Sequence, residues 1–288
     1  PMLVISGQVK WQTTTRSTAV AMRSFGDQDF DITKVVAPMT KYAEMVVQPE
    51  MIKYHLAKAI YMAKQGRPGP SWIDIPLNIQ WGYVDTDKLI EFNSEEMQNA
   101  SPRPVSVRTL DLIIEKLKTA KRPVILGGVE LRTNGAYEEF SRMIRKLNIP
   151  VVTSFDSIDL ITEDDPLYAG RTGDVANRYG NWAVQNSDLL LVVGSRLGIR
   201  QVSYATETWA RESFVVQVYP DALEITKPNI HVELAVRADL KEFCAALNER
   251  IVVSMPILHE WFEICHRWKK QYPVVTKDRH YKESGSVN

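Results

Sequence analysis

Glycine, joined in two cases by arginine, occurs in three short segments between residues 127 and 196, a combination that can bind anions. The segments are Gly127-Gly128-Val129, Gly170-Arg171-Thr172-Gly173 and Gly194-Ser195-Arg196, with Arg200 just beyond the last. Glycine lets backbone N–H groups approach an anion closely, and the N-terminus of a following helix adds about half a positive charge. Arginine adds bidentate contacts to phosphate or carboxylate. Because no G-x-G-x-x-G motif is present, the spacing leaves both a nucleotide site and a set of tight turns open.

Two other clusters contain side chains of the kinds that bind metals. Asp27, Asp29 and Asp31 alternate like the start of a calcium loop, but isoleucine and methionine occupy the positions where that loop needs glycine and glutamate. His259 and His266 flank a cysteine without a second cluster at zinc spacing, so helix packing explains them better. We therefore predict no metal site within this chain.

His55 is the remaining candidate for acid–base chemistry. It lies on a predicted helix that Gly66 ends, and no partner for it can be identified in the sequence. We predict that His55 lies on the surface.

The elements that must position the glycine-rich segments form an alternating pattern from residue 105 onward. Short apolar runs predict strands at 123–126, 150–153, 188–193, 214–218 and 231–235, separated by helical stripes, with Asp239 as an N-cap. This pattern predicts an α/β fold with a doubly wound parallel sheet of Rossmann-like type. Ligands of such sheets bind at the carboxyl ends of the strands, where the three segments fall.

A smaller α/β domain precedes this sheet. Met2 to Ser6 and Ser71 to Ile75 predict strands, and the polar, acidic stretch 81–104 ends in Ser101-Pro102-Arg103-Pro104, which is typical of a semi-rigid linker. We predict four parts: a partial domain over 1–80, a linker over 81–104, a central domain over 105–254, and a helix with a lead-in to a further domain over 255–288.

Composition excludes several classes of function. The 288 residues carry a formal net charge of zero, so no basic field indicates nucleic acid. No apolar run is long enough to span a membrane. The two cysteines, Cys244 and Cys265, have no redox or metal spacing and indicate a reducing compartment, which predicts a cytoplasmic location.

Two stretches of the first domain resemble a known family. AKQGRPGP followed by WIDIPLNIQ resembles the end of the pyrimidine-binding domain in thiamine-diphosphate enzymes of the acetolactate synthase type, with Asn78 at a position that is usually Asp. FGDQDFDITKVVAPMTK resembles that family's F-Q-E-x-D-I…P-x-T-K segment, with Asp29 in place of Glu. By this resemblance, Gln28 and Lys41 lie close to the reaction zone of the cofactor.

The later blocks RPVILGG, EDDPLYAGRTG and NWAVQNSDLLLVVGSR are similar to the central domain of the same enzymes. In acetolactate synthases this domain holds FAD in a structural role. The matching cofactor-binding positions are Gly128, Gly170, Gly173, Gly194, Ser195, Arg196 and Asp221. Many relatives use the domain without a cofactor, and GSRLGIR lacks both aspartates of the family's G-[AS]-R-F-D-D-R loop, so the resemblance leaves FAD open.

The resemblance implies thiamine diphosphate and Mg²⁺ for the intact parent protein, with sites mostly outside this chain. The family's catalytic Glu precedes the position of Gly7, and its G-D-G…Asn metal motif does not occur in the sequence. We expect the chain to be an internal piece of the enzyme that does not catalyse turnover alone.

For the parent, the resemblance implies decarboxylation of a 2-oxo acid and transfer of the carbanion to a carbonyl or a proton, within a homodimer or homotetramer. Arg200 is the candidate partner for the substrate carboxylate, and a salt bridge is its other interpretation. Two other functions stay open: a redox or transfer enzyme that uses FAD or NAD, and a nucleotide-binding or assembly module without chemistry.

Overall fold

A computed structural model of the chain describes residues 1–18, 20–100, 102–251 and 258–276. The chain divides into two compact units, Pro1–Ser101 and Pro102–Asn288. This division falls inside the predicted linker.

The first unit contains a parallel sheet with short helices. Its elements are β1 (Met2–Gln8), α1 (Ile32–Val36), β2 (Tyr42–Met45), α2 (Ile52–Lys64), β3 (Pro70–Pro76) and α3 (Leu77–Gln80). The strand order is β1-β3-β2, and β3 pairs in parallel with both neighbours. The carboxyl ends of the three strands therefore lie along one edge of this sheet.

The central position of β3 follows from its residues. Ile73 and Asp74 are both fully buried, and Gly66 ends α2 with a φ of 57°, a conformation that glycine adopts without steric cost. The predicted strand and helix end are therefore confirmed. The sequence does not predict β2, because YAEM contains a single strong strand former and depends on pairing with β3.

The second unit is a larger α/β body. Its elements are α4 (Val107–Thr119), β4 (Pro123–Gly127), α5 (Glu130–Thr133), α6 (Tyr137–Leu147), β5 (Val151–Thr153), β6 (Tyr168–Arg171), α7 (Arg178–Gln185), β7 (Leu189–Val193), α8 (Ile199–Val202), β8 (Phe214–Tyr219), β9 (Leu234–Arg237), α9 (Leu240–Arg250) and α10 (His259–Gln271). The strand order is β6-β5-β4-β7-β8-β9, with all neighbouring pairs parallel. The predicted α/β fold with parallel sheets is confirmed.

Both faces of this sheet are covered by helices, because the side chains of each strand point alternately to one face and the other. In β4, Ile125 packs into a core formed with α4, α6 and α9, whereas Val124 and Leu126 pack into a second core formed with α7, α8 and α10. Successive strand side chains point to opposite faces, so a wholly apolar strand requires helices on both sides. The chain leaves β4 towards β5 and β6 and then returns to β7 on the other side of β4, so the strand order reverses between β4 and β7.

The sequence predicts the last strand two to three residues too early, at 231–235 instead of Leu234–Arg237. The preceding loop is held by side-chain contacts: Nε2 of His231 lies 2.9 Å from the Glu233 carboxylate, and Glu233 also accepts a hydrogen bond from the Val215 amide at 2.6 Å. The sequence also does not predict β6, whose residues YAGR lack an apolar run. The predicted N-cap is confirmed, since Asp239 accepts a hydrogen bond from the Glu242 amide at 2.9 Å.

The C-terminal helix α10 packs on the central sheet. Trp261 is 3% exposed and Cys265 is 2% exposed, and the Trp261 indole donates a hydrogen bond to the Pro123 carbonyl at 3.1 Å. These two side chains lie on the face of α10 that packs on the sheet, and α10 belongs to the same compact unit as the sheet. The predicted boundary at 254/255 lies outside the described residues.

Candidate functional site

The loops after β4 and β7 meet at the point where the strand order reverses. The Gly128 amide donates to the Val193 carbonyl at 2.9 Å, and the Glu130 amide donates to the Gly194 carbonyl at 3.2 Å. Gly194, with a φ of 72°, donates its own amide to the Val218 carbonyl at 3.1 Å. Backbone contacts between neighbouring loops therefore hold this part of the carboxyl edge together.

The loop after β6 is closed in a similar way against α7 and α8. Gly170 has a φ of 119° and lies against the ring of Tyr179, so a side chain there would be both strained and crowded. The Gly173 amide donates to Oδ1 of Asn181 at 2.9 Å, and a Cβ on Gly173 would lie 2.7 Å from the Arg200 carbonyl oxygen. The Asp174 amide donates to that same carbonyl at 2.8 Å.

These contacts bear on how the glycine segments could bind an anion. The amides of Gly128, Gly173 and Gly194 already donate to protein acceptors, so they do not fit a cradle of free N–H groups around a diphosphate. Their lack of side chains is needed for close packing of one loop on the next. The role of these glycines in cofactor binding stays a prediction.

The arginines differ in their surroundings. Arg200 is exposed, with its guanidinium carbon 5.8 Å from the centre of the Phe155 ring. Arg196 is also exposed, and its nearest carboxylate is Glu224, at 3.9 Å. Arg171 is half-buried, and its Nε is a buried donor without a partner among the described residues. Arg200 is therefore available to an anion such as a carboxylate.

The remaining predicted cofactor positions in this unit have structural partners. Ser195 is buried, and its carbonyl accepts a hydrogen bond from the Gln217 side chain at 3.1 Å. Asp221, which follows β8, accepts a hydrogen bond from the Leu223 amide at 2.9 Å and so forms a tight turn.

A buried hydrogen-bonded pair at the same edge, Glu130 with Tyr219, is not apparent from the sequence. Glu130 is 7% exposed and accepts a hydrogen bond from the hydroxyl of Tyr219, which is fully buried. Glu130 also accepts a hydrogen bond from the Thr133 hydroxyl at 3.2 Å. The only sequence signal for this pair is an acidic residue shortly after a strand that ends in glycine. Acidic residues at such positions usually lie exposed in the first turn of a helix.

In the first unit, a polar network gathers near the carboxyl ends of β1 and β3. Asp74 accepts hydrogen bonds from the Ser6 hydroxyl at 2.6 Å and from the Gln8 side chain at 3.1 Å. Gln8 also donates to the Phe30 carbonyl at 2.8 Å, which ties the following loop to the strand end. Asn78 accepts a hydrogen bond from the Trp11 amide at 2.7 Å, so this departure from the family's aspartate keeps an acceptor in place.

Gln28 and Asp29 play different parts in the loop before α1. Asp29 accepts hydrogen bonds from the amides of Thr15 and Phe25, both at 3.0 Å, and so organises the loop. Gln28 is exposed and has a φ of 63°, a left-handed conformation that is uncommon for a residue with a side chain. Such strained positions occur often at functional sites, where surrounding contacts maintain them.

Lys41 is held by the turn that precedes β3. Its ammonium donates to the carbonyls of Gln65 and Arg67, the latter at 2.9 Å, and its side chain packs against Gly69. A lysine that donates hydrogen bonds to carbonyl groups at the end of a helix also interacts favourably with the helix dipole. Lys41 therefore positions the segment between α2 and β3.

The prediction that His55 lies on the surface is wrong. His55 is half-buried, with Nδ1 2.6 Å from the hydroxyl of Tyr42 and its ring edge-on to that of Tyr54. Burial lowers the pKa of His55 below its ordinary value; the carboxylate of Glu44 opposes this effect and the ammonium of Lys58 adds to it. The partner was missed because Tyr42 lies on β2, which the sequence does not predict.

Burial, hydrogen bonds and a nearby charge all act on the pKa of the Asp31 carboxyl group. Burial acts to raise the pKa, but hydrogen bonds from Thr33 and Lys34 and the charge of Arg16 outweigh it and hold the pKa below its ordinary value.

Within the described ranges, no group of three or more metal-binding side chains is assembled. Over the same residues, no helix is long and apolar enough to cross a membrane.

Comparisons with known proteins identify relatives over nearly the whole chain. Residues 110–247 match the family model described as "Thiamine pyrophosphate enzyme, central domain". The chain is 28% identical to the acetolactate synthase large subunit of Cyanidium caldarium over 95% of this chain and 46% of that protein. It is 30% identical to the corresponding subunit of Corynebacterium glutamicum over 95% and 42%, respectively. A probable acetolactate synthase large subunit of Methanocaldococcus jannaschii is 28% identical over 94% and 44%. The chain thus spans less than half the length of these relatives.

Proposed function

We propose that the parent protein of this chain is a carboligase or decarboxylase of the acetolactate synthase type, because residues 110–247 match the model of the thiamine pyrophosphate enzyme central domain. The reaction would be decarboxylation of a 2-oxo acid, followed by transfer of the resulting carbanion to a carbonyl acceptor or a proton. The observation that carries the proposal is the similarity to acetolactate synthase large subunits over about 95% of this chain, which includes both compact units.

Arg200 is the residue of the second unit that we assign to the substrate. Its guanidinium has no carboxylate partner among the described residues, and it lies over the face of Phe155 at 5.8 Å. Its backbone is held by the Asp174 amide, which donates to the Arg200 carbonyl. A fixed cation of this kind can orient a 2-oxo acid by its carboxylate, since guanidinium and carboxylate form two parallel hydrogen bonds.

Gln28 and Lys41 have complementary roles in the proposal. The Gln28 amide projects from a strained, exposed turn and makes no hydrogen bond with the described residues, so it can bind a ligand. Lys41 contacts two carbonyls, and its proposed role is to position the turn before β3. Thiamine diphosphate, held with Mg²⁺, supplies the stabilisation of the carbanion when it is bound.

The chain's residues fit a flavin less well than they fit the carboxylate of a substrate. The glycine amides at the carboxyl edge are engaged in contacts between loops, which leaves arginine side chains, among them the exposed Arg196 and Arg200, as groups open to a diphosphate. We therefore derive no step through a flavin or a nicotinamide. The flavin or NAD enzyme and the non-catalytic binding module have no specific support from these contacts.

The assembly and the activity of the isolated chain are also proposals. We propose that the parent forms a homodimer or homotetramer, and that the 288-residue chain alone does not turn over a 2-oxo acid. The first unit has large apolar side chains open to solvent, among them Trp81 at 78% and Met39 at 67% exposure, which suits burial against further protein.

The test is an assay of the full-length parent protein with pyruvate as the 2-oxo acid. With thiamine diphosphate and Mg²⁺ added, we expect release of CO₂ and either a carboligation product or an aldehyde, identified by mass spectrometry. The 288-residue chain under the same conditions should release none. Absence of turnover by the parent with pyruvate and with longer 2-oxo acids would reject the proposed function.

A further inference from the structure

Phe155 is a large apolar side chain that projects from the turn after β5, between two buried serines. The side chain is 42% exposed, whereas Ser154 is 5% exposed and Ser157 is fully buried. The Ser157 hydroxyl donates to the Gly127 carbonyl at 2.8 Å, and the Ser154 amide donates to the Ser157 hydroxyl at 3.0 Å. These bonds tie the turn to the end of β4, so the backbone that carries the open ring is fixed.

The segment that carries Arg200 is also held in place. Leu197 and Ser203, on either side of α8, have φ values of 52° and 70°, and Leu197 is 1% exposed. Residues with side chains adopt this left-handed conformation at a cost and keep it where surrounding contacts maintain it. The Asp174 amide adds its hydrogen bond to the Arg200 carbonyl at 2.8 Å. The backbones of Phe155 and Arg200 are therefore both fixed.

The side chains of Phe155 and Arg200 meet beyond the carboxyl ends of β5 and β7. The guanidinium carbon of Arg200 lies 5.8 Å from the centre of the Phe155 ring, within the range of a cation–π contact. In a 2-oxo acid, the side chain begins two bonds from the carboxylate carbon. An acid whose carboxylate is bound by Arg200 can therefore lay its side chain on the exposed part of the ring.

Two carboxylates beside these residues disfavour a second negative group on the substrate. Asp156 follows Phe155 directly and accepts a hydrogen bond from the Ser154 hydroxyl. Asp174, whose amide contacts Arg200, accepts a hydrogen bond from the Val175 amide at 2.8 Å. A carboxylate in the substrate side chain would be repelled by these charges and would lose water against the ring. An apolar side chain would meet neither cost.

The exposed area of the ring sets the size of the side chain that it can bind. The exposed 42% of Phe155 is roughly 80 Å², since an aromatic side chain has about 200 Å² to bury. This area accommodates about three methylene groups at roughly 30 Å² each. Each methylene that covers the ring should improve kcat/KM about two- to fourfold, because apolar burial stabilises a complex in proportion to area.

We propose that Phe155 is a specificity-determining residue that selects 2-oxo monocarboxylic acids with an apolar side chain of about four carbons, one methyl and three methylene groups. Arg200 would hold the carboxylate while the side chain covers the ring. This inference rests on the proposed function and on the role given there to Arg200.

The test measures release of CO₂ by the full-length parent from pyruvate, 2-oxobutanoate, 2-oxopentanoate, 2-oxohexanoate and 2-oxoglutarate. From pyruvate to 2-oxohexanoate, kcat/KM should rise about two- to fourfold per methylene, and 2-oxoglutarate should be the poorest substrate. In Phe155→Ala the dependence on chain length should disappear, whereas Phe155→Leu should keep part of it. The ratio between substrates is the readout, because damage to the fold would lower kcat/KM for all of them alike.

Two further variants separate specificity from carboxylate binding and from a general loss of apolar surface. Arg200→Ala should lower kcat/KM for every monocarboxylic acid of the series. Leu112→Ala removes an apolar side chain on α4 that is 37% exposed, close to the exposure of Phe155, and should leave the ratios between substrates unchanged.

The inference and the proposed function can fail separately. An active parent whose Phe155→Ala variant keeps the parent's ratios would overturn the inference and leave the proposed function intact. A parent that prefers pyruvate or 2-oxoglutarate to 2-oxohexanoate would overturn it in the same way. Absence of turnover with every acid of the series would reject the proposed function, and the inference with it.

Discussion

Gly128 and Gly194 bring two backbone segments into close contact at the carboxyl edge of the central sheet. A Cβ built on Gly128 would lie 2.2 Å from the carbonyl oxygen of Gly194 and 2.5 Å from Cα of Ser195. The two glycines directly follow neighbouring strands, β4 and β7, between which the strand order reverses. Backbone therefore packs on backbone at the position where this fold commonly binds a ligand.

Substitution of Gly128 by alanine is expected to destabilise the second unit. The added methyl group would force the loops after β4 and β7 apart, and such overpacking typically costs about 1–3 kcal/mol. The melting temperature of the 288-residue chain, followed by circular dichroism, measures the effect. Gly198→Ala is the control, because its Cβ would meet nothing closer than the flexible Arg196 side chain at 3.5 Å. Equal melting temperatures for the two variants would contradict the packing role.

Substitution of Arg200 by alanine is expected to weaken use of a 2-oxo acid by the full-length parent. A hydrogen bond to a charged group contributes about 1.5–3 kcal/mol, so kcat/KM should fall by roughly ten- to a hundredfold, with much of the loss in KM. Arg200→Lys should recover only part of it, because an ammonium cannot form the two-point contact. Arg211→Ala, which removes an exposed arginine 3.8 Å from Glu212, serves as the control. An unchanged KM in Arg200→Ala would argue for a surface role.

Protonation of His55 is expected to destabilise the first unit in mild acid. Since burial holds the pKa of His55 below the ordinary value of about 6.5, the unfolded chain binds the proton more readily than the folded one. The stabilisation is thus complete above that ordinary value and is lost as the pH falls towards the lower folded pKa. NMR titration should show the His55 ring protonating below pH 6.5.

The matched variants for this prediction are His55→Gln and His259→Gln. The first should flatten the dependence of stability on pH between about 7.5 and 5, and the second, at an exposed position of α10, should leave it unchanged. A His55 ring that titrates above its ordinary value would show that the Tyr42 contact and Glu44 outweigh burial.

Both cysteines are expected to resist thiol reagents in the folded protein. Burial raises the pKa of the Cys244 thiol to about 12 and that of Cys265 to about 12. The reactive thiolate is therefore scarce near pH 8, and the sulfur atoms are inaccessible. A disulfide reagent that releases a coloured product should report two thiols in denaturant and almost none without it. Rapid native reaction of either thiol would indicate that its helix, α9 or α10, opens locally.

Much of the fold can be predicted from the sequence, because the information is local. The apolar runs that become β4, β7 and β8 are continuous, and helices alternate with them, so a parallel sheet covered on both faces follows from periodicity. Asp239 caps its helix as predicted, since a cap depends on residues within one turn. The weaker elements β2 and β6 depend on a neighbouring strand and were not predictable in this way.

The sequence by itself determined the family resemblance, the parallel α/β architecture and the residue types available at the carboxyl edge. Only the tertiary structure decided which of those groups are engaged. It placed the amides of Gly128 and Gly194 in backbone contacts, Lys41 on two carbonyls and His55 against Tyr42, whereas Arg200 stayed exposed. The physical reason is that a hydrogen-bond donor has limited capacity, and residues far apart in sequence can occupy it only after the chain has folded.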